Sequence, residues 1–243
     1  MVRNILVVIS IVIDIIIFGV MCLIVSPFDW RGHVHGWLIR IWAKITLWLI
    51  GVKISIEGLE NLKDANPAVI LMNHESALDI LIVLAGLPIN QRFMAKKELF
   101  KIPIFGWGLA FGGHISIDRA NTKKAVESIN KNSKSIIKRK LNIIVSPEGT
   151  RSPDGEMGSF KKGGFKLAEK YDLPLIPVTI LGSRYCIPKK KLTVTPGRVG
   201  LIIDSAVKVS DFPNLISCMN SVRETMIHNK DEYESERNKK SIA

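Results

Sequence analysis

The sequence predicts an α/β domain with a mostly parallel sheet flanked by helices, preceded by two helices at the N-terminus. Past residue 50, short apolar segments of strand length alternate with longer segments whose apolar residues recur at helical spacing. This alternation is typical of parallel sheets, whose strands are buried on both faces. The polar motifs of the chain directly follow predicted strands, at the edge where such domains place their functional residues.

Residues 1–52 are expected to form a two-helix membrane-anchoring element. From Ile5 to Val25 the chain is apolar apart from three residues, of which Asp14 is the charged one, and about 1.5 Å per residue lets this run cross a hydrocarbon core of about 30 Å. A cleaved signal peptide is the competing interpretation, although the run is long and no small-residue cleavage site follows. Gly36 to Val52 is amphipathic, which suits the bilayer interface or packing on the folded domain. Whether the first helix spans the bilayer or lies in one leaflet stays open.

The remaining elements follow from the periods of strands and helices. Strands are predicted at Lys53–Glu57, Ala68–Met72, Arg92–Ala95, His114–Asp118, Asn142–Ser146, Leu175–Leu181 and Val199–Asp204. Helices are predicted at Leu78–Leu87, Asn121–Lys140 and Phe165–Tyr171. The α/β domain is expected to span residues 53–222, and residues 223–243 are expected to form a charged C-terminal tail.

The formal net charge of +12 comes mainly from residues 51–222, so the main domain is basic. Basic domains meet nucleic acid, anionic membranes or anionic substrates. Aromatic residues are only 7% of the chain and no nucleic-acid module motif occurs, so we expect no nucleic-acid partner and a basic face toward anionic lipid. The three widely spaced cysteines predict neither a disulfide nor a metal pair. Zinc-ligand spacing and a Gly-x-Ser-x-Gly elbow are also absent from the sequence, which argues against a metal hydrolase and a covalent serine mechanism.

The first motif runs from Asn73 to Asp79 and carries a candidate base, His74. On a regular helix, His74 and Asp79 would point about 140° apart, so they meet only if His74 precedes the helix. Ser76 and Asp79 match a capping box that starts the helix at about Ala77. Asp79 would then bond one ring nitrogen and make the other a better base. The alternative is that Asp79 only caps the helix and His74 is an ordinary turn residue.

Two further motifs carry arginines that are suited to anions. Arg119 follows a predicted strand and two glycines that let the backbone approach a ligand, although an ion pair with Asp118 is the simpler interpretation. The turn from Glu148 to Arg151 follows a buried strand, and its glutamate and arginine are placed to bind a polar head. The lysines beside Gly163 and Gly164 are a further candidate for phosphate contact.

Taken together, four blocks resemble the glycerolipid acyltransferase family, specifically its 1-acyl-sn-glycerol-3-phosphate acyltransferases. NHESALD is similar to the family's His-x4-Asp motif, GGHISIDR to its second block, SPEGTRS to its third and IPVTI to its fourth. The resemblance implies His74 as the base and Asp79 as its partner. The substrate residues that it implies are Arg119, Glu148, Gly149, Thr150 and Arg151 for lysophosphatidic acid and Pro177 for the acyl chain.

The implied activity is transfer of a fatty acyl group from acyl-CoA or acyl-carrier protein to the sn-2 hydroxyl of 1-acyl-sn-glycerol 3-phosphate, which gives phosphatidic acid for phospholipid biosynthesis. No metal or cofactor beyond the donor is implied. Two alternatives stay open: acyl transfer to another lysolipid or to glycerol 3-phosphate, and a non-catalytic surface protein that binds anionic lipid. The Ile- and Lys-rich composition without a transit peptide leads us to expect the bacterial inner membrane, with the active site on its cytoplasmic side.

Overall fold

The computed structural model describes residues 2–29, 31–63, 66–118, 120–188 and 194–242. Its helices are α1 (Val2–Val25), α2 (His33–Ile50), α3 (Asp79–Gly86), α4 (Phe105–Phe111), α5 (Thr122–Lys138), α6 (Gly163–Tyr171), α7 (Ser183–Cys186) and α8 (Leu215–Ile242). Its strands are β1 (Val52–Glu57), β2 (Val69–Met72), β3 (Gln91–Lys96), β4 (Ile115–Ile117), β5 (Asn142–Val145), β6 (Leu175–Leu181) and β7 (Gly197–Ile203). Short 3-10 turns lie at Leu59–Leu62, Lys97–Lys101 and Val209–Asp211.

The strands form one sheet in the order β1-β7-β6-β2-β5-β3-β4. Every neighbouring pair is parallel except β6 and β7, which are antiparallel. The predicted α/β class with a mostly parallel sheet is therefore confirmed. Because β2, β5, β3 and β4 are adjacent and parallel, the segments that follow them emerge at the same edge of the sheet.

Two hydrophobic cores cover the two faces of the sheet, and β2 contributes to both. Ile70 and Met72 pack into the core that α2 and α3 close, whereas Val69 and Leu71 pack into the core formed with α5, α6 and α8. This alternation follows from the two-residue period of a strand. Burial on both faces explains why β2 is apolar at every position.

The N-terminal helices pack on the domain. Helix α2 contacts α1 and α3, and buries Leu38, Leu47 and Ile50, while Trp37 and Trp48 stay exposed. Of the two interpretations of this amphipathic segment, the structure therefore shows its apolar face packed on the folded domain. Within the ranges that the structure describes, no helix combines the length and the apolar character that crossing a membrane requires.

The C-terminal segment continues a long helix. Residues 223–242, which we expected as a charged tail, belong to α8, and α8 packs on β6. Cys218, Val222 and Met226 are buried at four-residue spacing, so one stripe of the helix faces the core. That stripe begins before residue 223, which is why the charge pattern of the tail alone did not reveal it.

Candidate active site

The first motif occupies the turn between β2 and α3. His74 lies in this turn, and its Nδ1 is 2.8 Å from Oδ2 of Asp79, the first residue of α3. Asp79 is fully buried, whereas the His74 side chain is 17% exposed. Since a carboxylate accepts, His74 carries its proton on Nδ1, which leaves Nε2 as the acceptor nitrogen.

Asp79 also organises the backbone of the turn. Its Oδ2 accepts hydrogen bonds from the backbone N–H of Glu75 at 2.7 Å and of Ser76 at 2.9 Å. The helix starts at Asp79 instead of about Ala77, because the carboxylate gathers donors from the turn that precedes the helix. Asp79 thus serves the turn and the imidazole together, so it is not confined to capping the helix.

The third motif is bonded to the first on both sides of His74. Glu148 Oε1 accepts the backbone N–H of His74 at 2.9 Å, and the N–H of Ser152 donates to the carbonyl oxygen of His74 at 2.8 Å. The second oxygen of Glu148 accepts the N–H of Gly158 at 3.0 Å. Burial raises the pKa of Glu148, while these two backbone bonds oppose the shift. Both carboxylate oxygens of Glu148 thus accept backbone N–H groups of the protein, and its expected contact with substrate stays a prediction.

The rest of the third motif lies at the surface of the same edge. Gly149 has a φ of 72°, and a Cβ there would lie 2.7 Å from Nζ of Lys161, so glycine lets this lysine pass over the turn. Thr150 is exposed and Arg151 is partly exposed. Beside them lies a cavity of about 560 Å³ whose cationic lining residues are Lys161, Lys162 and Lys166.

The second motif is described only in part. Arg119 lies outside the described residues, so its expected role is untested. Asp118 lines the same cavity and pairs with Lys97, whose Nζ is 2.7 Å from Oδ2. Lys97 was missed by our sequence reasoning, although it directly follows β3, and β3 lies between β5 and β4 in the sheet. A cation placed directly after a predicted strand was the available signal.

The glycines before Arg119 lie close to side chains of the protein. A Cβ at Gly112 would lie 2.4 Å from Nε2 of His35, and a Cβ at Gly113 would lie 3.1 Å from Nη2 of Arg139. These glycines therefore accommodate side chains of the protein itself.

Comparison with known proteins agrees with the geometry at this sheet edge. A family model described as Acyltransferase matches residues 53–181, which include the first and third motifs. This chain belongs to the acyltransferase family.

Relatives in this family share most of the chain. It is 30% identical over 87% of its length to a 1-acyl-sn-glycerol-3-phosphate acyltransferase of Pseudomonas aeruginosa, of which it covers 83%. It is also 30% identical, over 84% of its length, to a protein of the same name from Cocos nucifera. The chain spans 66% of the length of the Cocos nucifera relative. It spans 44% and 46% of the length of two other plant relatives.

A solved structure in the family has the same fold. The crystal structure of the 1-acyl-sn-glycerophosphate (LPA) acyltransferase PlsC from Thermotoga maritima superposes with a TM-score of 0.81 at 30% identity. The match covers 96% of this chain and 97% of that one, so the N-terminal helices belong to the shared architecture.

Beside the acyltransferase motifs lies an apolar cavity of about 160 Å³. It is enclosed by residues of α1, α2, α3, α4 and β3, and Ile80 and Leu84 bring α3 to its wall. Ile80 directly follows Asp79 in the chain, whereas His74 and Asp79 themselves are not among the residues that line this cavity. Pro177, expected at the acyl-chain site, is not among its lining residues; it is buried in β6 in register with Leu71.

The turn that carries His74 is also held from behind. Asn73 exchanges two hydrogen bonds with the backbone of Ile180 in β6, at 2.7 Å and 2.9 Å. Glu75 pairs with Lys230 of α8, and Lys230 also donates to the carbonyl oxygen of Gly155. Burial raises the pKa of Glu75, and the Lys230 ammonium opposes that shift. Sequence reasoning missed Lys230, because nothing local connects the two residues.

Proposed function

We propose that this protein transfers a fatty acyl group from an acyl thioester, acyl-CoA or acyl-carrier protein, to the sn-2 hydroxyl of 1-acyl-sn-glycerol 3-phosphate, giving phosphatidic acid. The observation that carries the proposal is the dyad: the buried Asp79 holds Nδ1 of His74 at 2.8 Å, while the ring reaches the surface. Relatives from bacteria, yeast and plants that bear the name of this activity support the choice of acceptor.

In the proposed reaction, Nε2 of His74 accepts the proton of the sn-2 hydroxyl as that oxygen attacks the thioester carbonyl carbon. The carbon–sulfur bond then breaks, the ester carbonyl re-forms, and the proton passes from His74 to the departing thiolate. The Asp79 carboxylate stabilises the imidazolium that exists between these two steps. Donor and acceptor exchange one acyl group for one proton, so no further reactant is needed.

The base accounts for part of the rate enhancement. A positioned general base typically contributes about 10² to 10⁴-fold, so the remainder comes from holding two substrates in contact and stabilising the developing oxyanion. Fixing the backbone of His74 on both sides, through Glu148 and Ser152, limits how far the ring can move. Such restraint is what orientation requires, because small displacements of a base are costly to the rate.

The cationic side chains at the same sheet edge are proposed to bind the acceptor's phosphate. Arg119 and Arg151 retain this role from the sequence analysis, and Lys97 and Lys161 join them from the structure. Lys161 crosses the turn at Gly149, and Lys97 pairs with Asp118, the residue before Arg119. A guanidinium matches phosphate oxygens with two bonds, whereas each ammonium adds a point charge.

The apolar N-terminal helices are proposed to hold the enzyme at a membrane surface, which brings the site to a substrate that stays in the bilayer. The exposed Trp37 and Trp48 of α2 support this, since tryptophan favours the interface between water and lipid. We propose the apolar cavity beside Ile80 as the site of an acyl chain. A bacterial inner membrane with a cytoplasmic active site remains our expectation for its location.

The closest competing function keeps the chemistry and changes the acceptor to another lysolipid or glycerol 3-phosphate. The test is an assay of purified protein with a panel of acceptors against acyl-CoA and acyl-carrier-protein donors. We expect lysophosphatidic acid to be the best acceptor by a wide margin. A better rate with an acceptor that lacks phosphate would refute the proposed acceptor. Lipid binding without acyl transfer from any donor would favour the non-catalytic alternative, against which the intact dyad argues.

A further inference from the structure

A second group of charged side chains lies at the edge of the sheet opposite His74, where the N-terminal helices meet the domain. Arg92 at the start of β3, Arg139 after α5, His35 in the first turn of α2 and Asp29 before it surround a cavity of about 140 Å³. His74 follows the carboxyl end of a parallel strand, whereas Arg92 lies at the amino end of one. This group is therefore distinct from the proposed active site.

Two of these side chains are buried with incomplete hydrogen bonding. Arg92 is 1% exposed; its Nη1 donates to the carbonyl oxygen of Gln91, and its Nε has no partner among the described residues. His35 is 3% exposed, and neither of its ring nitrogens has a partner within the described ranges. Buried polar groups are nearly always paired, so donors left over in a polar cavity point to a ligand that accepts hydrogen bonds.

The charge around the cavity favours an anion. Its described lining residues include two arginines and a single carboxylate, that of Asp29. Both oxygens of Asp29 are already used, because they accept the backbone N–H groups of His33 at 3.0 Å and His35 at 2.7 Å. Arginines thus outnumber carboxylates among the described residues that line the cavity. Burial and the nearby Arg92 lower the pKa of His35 to about 4, so its neutral ring can offer one N–H donor.

Glycines shape the walls of this cavity. Gly32 has a φ of 70°, and a Cβ there would lie 2.0 Å from Nη2 of Arg92. A Cβ at Gly112 would lie 2.4 Å from the ring of His35. The backbone thus approaches both side chains at positions where any other residue would displace them.

One exposed aromatic side chain lines the cavity, and two others lie near its lining residues in the chain. Phe111 lines it and is 64% exposed, and Phe28, directly after the lining residue Pro27, is 88% exposed. Trp107 is also exposed, one turn earlier on α4. Large apolar groups around a basic cavity suit the boundary between phospholipid headgroups and acyl chains.

We infer that this cavity binds a phosphate group, with Arg92 and His35 as hydrogen-bond donors. The ligand is the headgroup of a bilayer phospholipid or free phosphate, and the exposed aromatic residues favour the headgroup. Phosphate accepts several charge-assisted hydrogen bonds, and the buried Arg92 guanidinium is suited to donate them. The site does not depend on the reaction proposed at His74.

The test uses the full chain and two probes. The first is sodium phosphate, titrated at constant ionic strength against sodium chloride, with the unfolding midpoint as the readout. The second is a set of phosphatidylcholine vesicles, prepared with and without phosphatidylglycerol. Its readouts are the unfolding midpoint and co-sedimentation of the protein with the vesicles. A ligand that binds only the folded state stabilises it in a saturable way. We expect Arg92→Met to weaken this response about tenfold or more, and Arg31→Met, which removes one exposed charge nearby, to change it less than about twofold.

The outcomes separate the two sources. A response to vesicles that Arg92→Met loses supports the headgroup, and a response confined to sodium phosphate supports free phosphate. If wild type responds to neither probe, or if Arg92→Met and Arg31→Met respond alike, the inference is wrong. Should Arg92→Met fail to fold, His35→Leu takes its place in the same comparison, and calorimetric titration of wild type with phosphate measures binding directly. Absence of binding in that titration, together with no response to vesicles, would show that the inference is wrong.

Discussion

In the proposed mechanism, His74 acts as the base and Asp79 positions it. The imidazole ring is exposed on one side and acts in the proposed transition state, whereas the Asp79 carboxylate is buried and holds both the ring and the turn. Substitutions at the two positions should therefore differ in kind.

We predict that His74→Ala lowers kcat by about 10² to 10⁴-fold while the affinity for lysophosphatidic acid changes little, since a base acts in the transition state. Asp79→Asn should lower kcat less, because the base remains. Steady-state kinetics and lipid binding measure both effects, with His228→Ala at an exposed position of α8 as the control. Near-wild-type turnover of His74→Ala would exclude it as the base, and unfolding of Asp79→Asn would show that its structural bonds dominate.

Arg151 tests the proposed phosphate site. We predict that Arg151→Lys raises KM for lysophosphatidic acid by about ten- to 150-fold with little change in the donor KM, since losing a charged hydrogen bond costs about 1.5 to 3 kcal/mol. The matched control is Arg198→Lys, on the exposed side of β7. A change in the donor KM alone would move Arg151 to the donor site. No change in either would shift the phosphate site to the lysines beside Gly163.

At the scale of elements, α8 reaches the turn that carries His74, the proposed base. Lys230 pairs with Glu75, and one helical turn later Glu234 accepts from the hydroxyl of Tyr185 at 2.8 Å. Asn229 donates to Asp204 at 3.0 Å. The C-terminal helix thus connects the ends of β2 and β6 to the loop after β7, although it lies outside the region that the family model matches.

We predict that Lys230→Met destabilises the protein by about 3 to 5 kcal/mol, because it leaves the buried Glu75 carboxylate without its cationic partner. The double variant Glu75→Gln/Lys230→Met should recover much of this loss, since the charge is gone. Urea unfolding measures both, and Lys239→Met at an exposed position of α8 is the control. Equal stability of Lys230→Met and wild type would show that the pair contributes nothing.

At the scale of the whole molecule, two buried histidines where the N-terminal helices meet the domain are expected to make stability depend on pH. The ring centroids of His35 and His114 are 5.9 Å apart. Arg92 and Arg139 lower the pKa of His35, whereas the Asp29 carboxylate raises it. Burial is the largest cause, and the pKa of His35 falls to about 4. The pKa of His114 is also lowered, by burial and then by the charge of Arg92.

We predict that stability falls as the pH drops from about 6.5 to about 4. In this window the unfolded chain takes up a proton at His35 and the folded protein does not, so the free energy of unfolding rises with pH. A shift of this size corresponds to about 3 kcal/mol. His35→Asn should flatten the curve, and His228→Asn should leave it unchanged, in urea unfolding at a series of pH values without phosphate. A curve for His35→Asn parallel to that of wild type would contradict the prediction.

The sequence alone determined the α/β class, most of the strands and helices and the dyad, because each depends on residues close together in the chain. The period of apolar residues sets the strands and helices, and the turn between β2 and α3 brings His74 to Asp79 over five positions. Tertiary structure decided what lies far apart: Glu148 meets His74 across 74 positions and Lys230 meets Glu75 across 155. The reason is the same at both edges of the sheet. Which strand neighbours which is fixed by packing of the whole core, and no local pattern encodes the partner that a buried charge will find there.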